Sequence, residues 1–140
     1  MSWEREKNYL NQIKAIDEDI VNMQADANMW RERAASLSNQ QEGERVQTSG
    51  TSDTMKLLDK ALDIERDIDE LYMKRKEIVG VIQSLPRPHN NIFYKRYVLG
   101  MQFKAIAATC NQGESWATTN HGRGLAIVNR ILDQMEVENE

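Results

Sequence analysis

Apolar residues recur along the first part of the chain in one long alternation. Tyr9, Ile13, Ile16, Ile20, Met23, Ala27, Trp30, Ala34 and Leu37 are separated by steps of four and three, the spacing that holds a narrow stripe on one helix face. Lys14, Asp17, Glu18, Asp19, Arg31 and Glu32 fill positions between them. The pattern predicts one helix over about residues 3–37. A second stripe, Leu57, Ala61, Ile64, Ile68, Leu71, Arg75, Ile78, Ile82 and Leu85, alternates in the same way and is widened by Leu58, Leu62 and Val79. It predicts a helix over about residues 54–85. Each helix would be ~50 Å long at ~1.5 Å per residue. A stripe this narrow is covered only by another like it, so the two are expected to fold back antiparallel as a coiled-coil hairpin. Two helices make a thin core, and a second hairpin is expected to complete it in a homodimer.

Between the stripes, residues 38–53 are polar, with Val46 the only large apolar side chain. A flexible connector is expected there, with Ser52 or Asp53 capping the helix that follows. Leu85-Pro86-Arg87-Pro88 should end the second helix, because proline disfavours helix before it and lacks an amide hydrogen. The expected organisation is a hairpin domain over 1–85, a second domain over 86–133 and an acidic tail over 134–140.

After the prolines the pattern shortens. Ile92, Phe93, Tyr97 and Val98 suit a short helix with Lys95 and Arg96 outward, stopped by Gly100 in a left-handed conformation. Phe103, Ile106, Ala107 and Cys110 share one face of a helix starting at Gln102. Asn111 tolerates the positive φ of a tight turn. A third helix over about 115–133 then follows, with Ala117, His121, Gly124, Val128 and Ile131 inward and Leu125, Ile127 and Leu132 flanking them. A small residue where two helices cross (Ala107), a turn residue four positions later and another small one (Ala117) six beyond are what a helix-turn-helix requires. The fold class is therefore all-α, a helical hairpin followed by a three-helix module.

Charge sharpens this picture. The 140 residues carry a net charge of −4, but unevenly. Residues 1–85 hold 12 basic and 17 acidic side chains, a net of −5. Residues 86–132 hold Arg87, Lys95, Arg96, Lys104, Arg123 and Arg130 against Glu114 alone, a net of +5. A basic segment in an acidic chain suits a polyanionic partner. Cys110 is the one cysteine, which excludes an intrachain disulfide and a thiolate zinc site. No apolar run approaches the roughly 20 residues of a membrane span, and no signal-peptide pattern opens the chain. A cytoplasmic protein is expected. The acidic "DIERDIDE" of the second helix reads as a solvated face, since a carboxylate-bridged metal site would need Glu-x-x-His spacing. His89 and His121 stand in no ligand set or nucleophile–base pair. Neither catalysis, nor a metal, nor a cofactor is expected.

"IFYKRYVLGMQFKAIAATCN" resembles region four of bacterial sigma factors, in which a helix ending in a Tyr-Val-Gly-like element precedes an Ile-Ala-containing helix. "ESWATTNHGRGLAIVNRIL" is similar to a family of small phage and prophage proteins of Gram-positive bacteria, grouped with ArpU-like regulators. The likeness rests on Ser115, Trp116, His121, Gly122, Arg123 and Leu125, on "LP.P" before the module and on "YKRYV" within it. It extends to the long helical first half with its polar connector. Ala117 stands where the family has Val, and Gly124 where it has Ala. The resemblance implies a host-cell cytoplasmic regulator of phage late or packaging genes that binds promoter DNA.

On that reading Ser115, Trp116, Thr118, Thr119, Gly122 and Arg123 are the base-facing candidates, and Lys95, Arg96 and Lys104 the phosphate contacts. Each has a plainer role open to it. Ser115 suits an N-cap, Trp116 suits packing on the preceding helix, and exposed Lys and Arg are ordinary surface residues. His121 is better placed as a buried, hydrogen-bonded histidine than as a ligand, and Cys110 as a small core residue. Two other functions compete with a DNA-binding regulator: an adaptor that engages RNA polymerase or a repressor protein, and a packaging protein like the small terminase subunits.

Overall fold

A computed structural model describes residues 2–42 and 48–139. Among them the protein is all-helical, without a strand. The helices are α1 (Glu4–Glu42), α2 (Thr48–Ser84), α3 (His89–Phe93), α4 (Phe103–Thr109) and α5 (Glu114–Glu138), and a π-helical turn (Tyr94–Val98) closes α3. None is long and apolar enough to cross a membrane among the described residues.

Both long stripes are taken out of water. In α1, Ile13, Ile16, Ile20, Ala27 and Ala34 are buried and Tyr9, Met23, Trp30 and Leu37 half-buried; in α2, Ala61, Ile68, Ile78 and Ile82 are buried, as is Leu85 just beyond its end. Leu62, expected to widen the second stripe, is exposed instead.

Helical structure extends past the expected limits. Residues 38–42 continue α1, and 48–53 already belong to α2. The polar segment is therefore helical at both ends. Ser52 and Asp53 lie inside α2 and do not begin it, while positions 43–47 of the expected connector lie outside the described residues. Extending an existing helix adds a hydrogen bond for each residue fixed, so no apolar partner is needed to lengthen it. For the same reason residues 134–138 of the expected tail prolong α5, and its C-cap is Asn139.

The chain divides into two compact units, and the division does not fall at Pro86. One unit comprises Ile16–Met73; the other comprises Met1–Ala15 together with Lys74–Glu140. The start of α1 is tied to α5 by polar contacts. Arg5 donates to the carbonyl oxygen of Asn129 at 3.2 Å and pairs with Asp133 at 2.9 Å. Glu6, 3% exposed, accepts a hydrogen bond from the Asn129 side chain at 3.1 Å. The ends of α1 and α2 thus belong to the same core as the C-terminal module.

In the Ile16–Met73 unit α1 and α2 run side by side in opposite directions. Arg31 binds Glu65 through two hydrogen bonds of 2.6 and 2.8 Å, Lys60 sits 4.3 Å above the Trp30 ring, and Gln24, Ala27 and Asn28 share a groove with Ile68, Asp69 and Tyr72. By sequence this unit holds 6 basic and 14 acidic residues, a net of −8; the other holds 12 and 8, a net of +4.

Candidate functional site

The short helices of the C-terminal module are packed on α5 through a cluster of rings. Phe93 is fully buried, and its ring centroid lies 5.0 Å from that of His121. Phe103 meets the same imidazole edge-on at 4.8 Å. The Tyr97 hydroxyl and His121 Nε2 are 2.6 Å apart. Burial holds the imidazole well below its ordinary range, at about 4, with Lys7 and Arg96 adding to the effect. The same burial pushes the Tyr97 phenol up to about 12, against the opposing pull of Arg96. Phenol and neutral imidazole therefore form an uncharged hydrogen-bonded pair at neutral pH. His121 is structural, as its sequence context suggested.

Gly124 of α5 faces the Phe93 ring of this cluster. A Cβ there would lie 2.6 Å from Cζ of Phe93, so only glycine fits without displacement. Gly122, two residues away, has nothing within 4 Å of an added Cβ. The two glycines have different reasons to exist.

The path from α4 into α5 is set by backbone geometry. Gln112 N–H and Cys110 N–H both donate to the Ala107 carbonyl, at 2.9 and 3.0 Å. Asn111 takes φ +58°, the left-handed conformation expected of it, and Gly100 takes φ +71° before α4. Ala107 and Ala117 are buried, 1% and 0% exposed. The first residue of α5 is Glu114 and its N-cap is Gly113. Ser115 is therefore not the cap; it lies in the first turn, where its carbonyl accepts from the Thr118 hydroxyl at 3.2 Å.

The sequence-derived candidates on α5 come together on its outer side. Ser115, Thr118, Thr119 and Arg123 are exposed and Gly122 is half-exposed, while Ala117, Asn120, His121, Gly124 and Leu125 point inward. Trp116 departs from the group: it is half-buried at the border of this face. Asn120 bonds to the Trp116 carbonyl oxygen at 2.9 Å and is 9% exposed.

The phosphate candidates separate. Lys104 is exposed and forms no ion pair among the described residues. Lys95 and Arg96, expected to point outward, are half-buried and engaged in the fold. Lys95 donates to the Thr109 hydroxyl at 2.7 Å. Arg96 donates to the Met101 carbonyl oxygen at 3.1 Å and lies 4.3 Å above the Phe103 ring. Both charges are retained near the surface, but their geometry is committed to holding α3, its π-turn and α4 together. No group of three or more His, Cys, Asp or Glu residues that could hold a metal ion occurs among the described residues. Compared with known proteins, the chain matches no family model, no curated protein and no solved structure.

Proposed function

We propose that α4, the Asn111 turn and α5 act as a helix-turn-helix that places the first two turns of α5 in the major groove of double-stranded DNA. The observation that carries this reading is the outer face of α5, where Ser115, Thr118, Thr119 and Arg123 stand exposed together. Hydroxyls of this kind bond base edges or phosphates, threonine methyls touch thymine, and arginine takes guanine or phosphate in a bidentate fork. Gly122 supports the same reading, since the bare backbone there lets another surface approach closely. Lys104, at the start of α4, is the free phosphate contact, and Lys95 and Arg96 add positive field.

On this account the protein is a phage-type transcription regulator of the ArpU-like kind, working in the cytoplasm of the host cell on late or packaging promoters. It acts as a homodimer. The two-helix Ile16–Met73 unit leaves Val21, Met55, Leu62, Tyr72 and Met73 about half or more exposed, and a second copy would cover part of that surface. Pairing two modules makes a modest charge per module sufficient, because linked weak sites multiply in affinity. Mobility-shift experiments with fragments of the DNA flanking the protein's own gene test the proposal. A specific, salt-sensitive shift by a dimer is expected, and no shift at low salt with any fragment contradicts it.

The strongly acidic Ile16–Met73 unit favours a second reading, an adaptor that engages RNA polymerase or a repressor protein. A net of −8 repels DNA and suits a basic protein surface. Capture of polymerase that persists when Lys104 and Arg123 are changed to Ala would favour it.

A further inference from the structure

Grooves in the protein differ in the charge of their walls. The one bordered by Arg5, Tyr9, Lys74 and Leu132 also contains Glu77 and Glu136. The one beside Tyr72 contains Glu65 and Asp69. A third, of about 290 Å3, lies where α2 passes into α3 and is lined by Gln83, Arg87, Asn90, Asn91 and Tyr94, with no carboxylate. The sequence makes this a regional property: no Asp or Glu occurs between Glu77 and Glu114, a stretch that holds Arg87, Lys95, Arg96 and Lys104.

The lining is weighted toward donors. Arg87 is exposed and makes no ion pair among the described residues. Asn90 accepts the Asn91 backbone N–H at 2.7 Å through its own Oδ1, so its NH2 group is the half of that amide left for a ligand. Asn91 reaches the Cys110 sulfur at 3.6 Å, which fixes the groove beside the turn that leads into α5.

We propose that this groove is an anion site that receives a backbone phosphate of the DNA, outside the base-facing surface of α5. The assignment rests on the DNA-binding reading above for the source of the phosphate, but not for the chemistry of the site. Arginine offers a planar fork that matches phosphate oxygens, and asparagine, glutamine and tyrosine side chains are regular phosphate partners. No carboxylate in the groove competes for the guanidinium. The prolines on either side of Arg87 restrict the backbone that carries it.

Two measurements on the full chain separate the site from the reading. Inorganic phosphate is titrated against the NMR signals of Arg87 Nε–H and the Asn90 side-chain amide, with chloride at equal ionic strength as the control. A saturable shift, absent in Arg87→Gln, is expected; no phosphate-specific shift overturns the site. DNA affinity is then measured over a range of salt. Arg87→Gln should weaken all sequences alike, by about tenfold, and lower the slope of log K against log salt by about 1. Arg87→Lys should restore the slope with only part of the affinity. An unchanged slope in Arg87→Gln overturns the DNA assignment. Saturable phosphate binding by a protein that binds no duplex overturns both the α5 reading and the duplex source, leaving a site for free phosphate.

Discussion

The Tyr97 hydroxyl of the π-turn and Nε2 of His121 on α5 are 2.6 Å apart inside a cluster of aromatic rings. This pair ties the short helices to α5 and makes the module sensitive to acid. His121 has a folded pKa of about 4 against an ordinary 6.5. Between those values the unfolded chain binds more protons than the folded one. The stability it allows is therefore full above about pH 6.5 and falls progressively as pH drops toward 4. The loss is expected to be about 1–3 kcal/mol, and His121→Gln should flatten it. Chemical denaturation between pH 4 and 7.5 reads both. Tyr97→Phe should cost about 1 kcal/mol at pH 7.

Gly122 and Gly124 should respond oppositely to alanine. Gly124→Ala pushes a methyl against Phe93 and should destabilise by about 1–3 kcal/mol. Gly122→Ala meets open space and should stabilise α5 by up to about 1 kcal/mol. Thermal melts of the two variants decide this. If Gly122 lies against DNA, its alanine variant should be the more stable protein and the weaker binder.

The long stripes were legible because the period of a helix and the need to cover it are both local properties. Asn111 and Gly100 were legible because few residues accept a left-handed backbone, and both adopt it. Gly124 was legible as an inward position of α5 but not as one that requires glycine, because the ring that demands it lies on another helix, 31 residues earlier in the sequence. Lys95 and Arg96 read as outward charges, since sequence does not reveal that Thr109, Met101 and Phe103 lie within reach. Glu6 gave no signal at all: a glutamate among charged neighbours is usually solvated, yet here it is covered and bonded to Asn129. The grouping of 1–15 with 74–140 was hidden for the same reason, being a property of long-range contacts.

That grouping predicts the behaviour of a truncated protein. A fragment of residues 86–140 lacks Leu10, Ile13, Ile78, Val81, Ile82 and Leu85, all buried in the full chain. It should show a broad, weakly cooperative melt and exposed apolar surface. A fragment of this size that melts sharply near the full-chain temperature would show that the module has a core of its own. Asn129→Ala, which leaves the covered Glu6 carboxylate short of a donor, should cost about 1–3 kcal/mol in the full chain.

The most direct test concerns the face of α5. Fluorescence anisotropy with a duplex selected from the DNA flanking the gene should show salt-dependent binding by the unaltered protein. Arg123→Ala and the double variant Thr118→Ala/Thr119→Ala should each lose about 1–3 kcal/mol of discrimination between this duplex and an unrelated one, with folding intact. Equal affinity of all these variants for both duplexes would show that the exposed face of α5 does not read DNA.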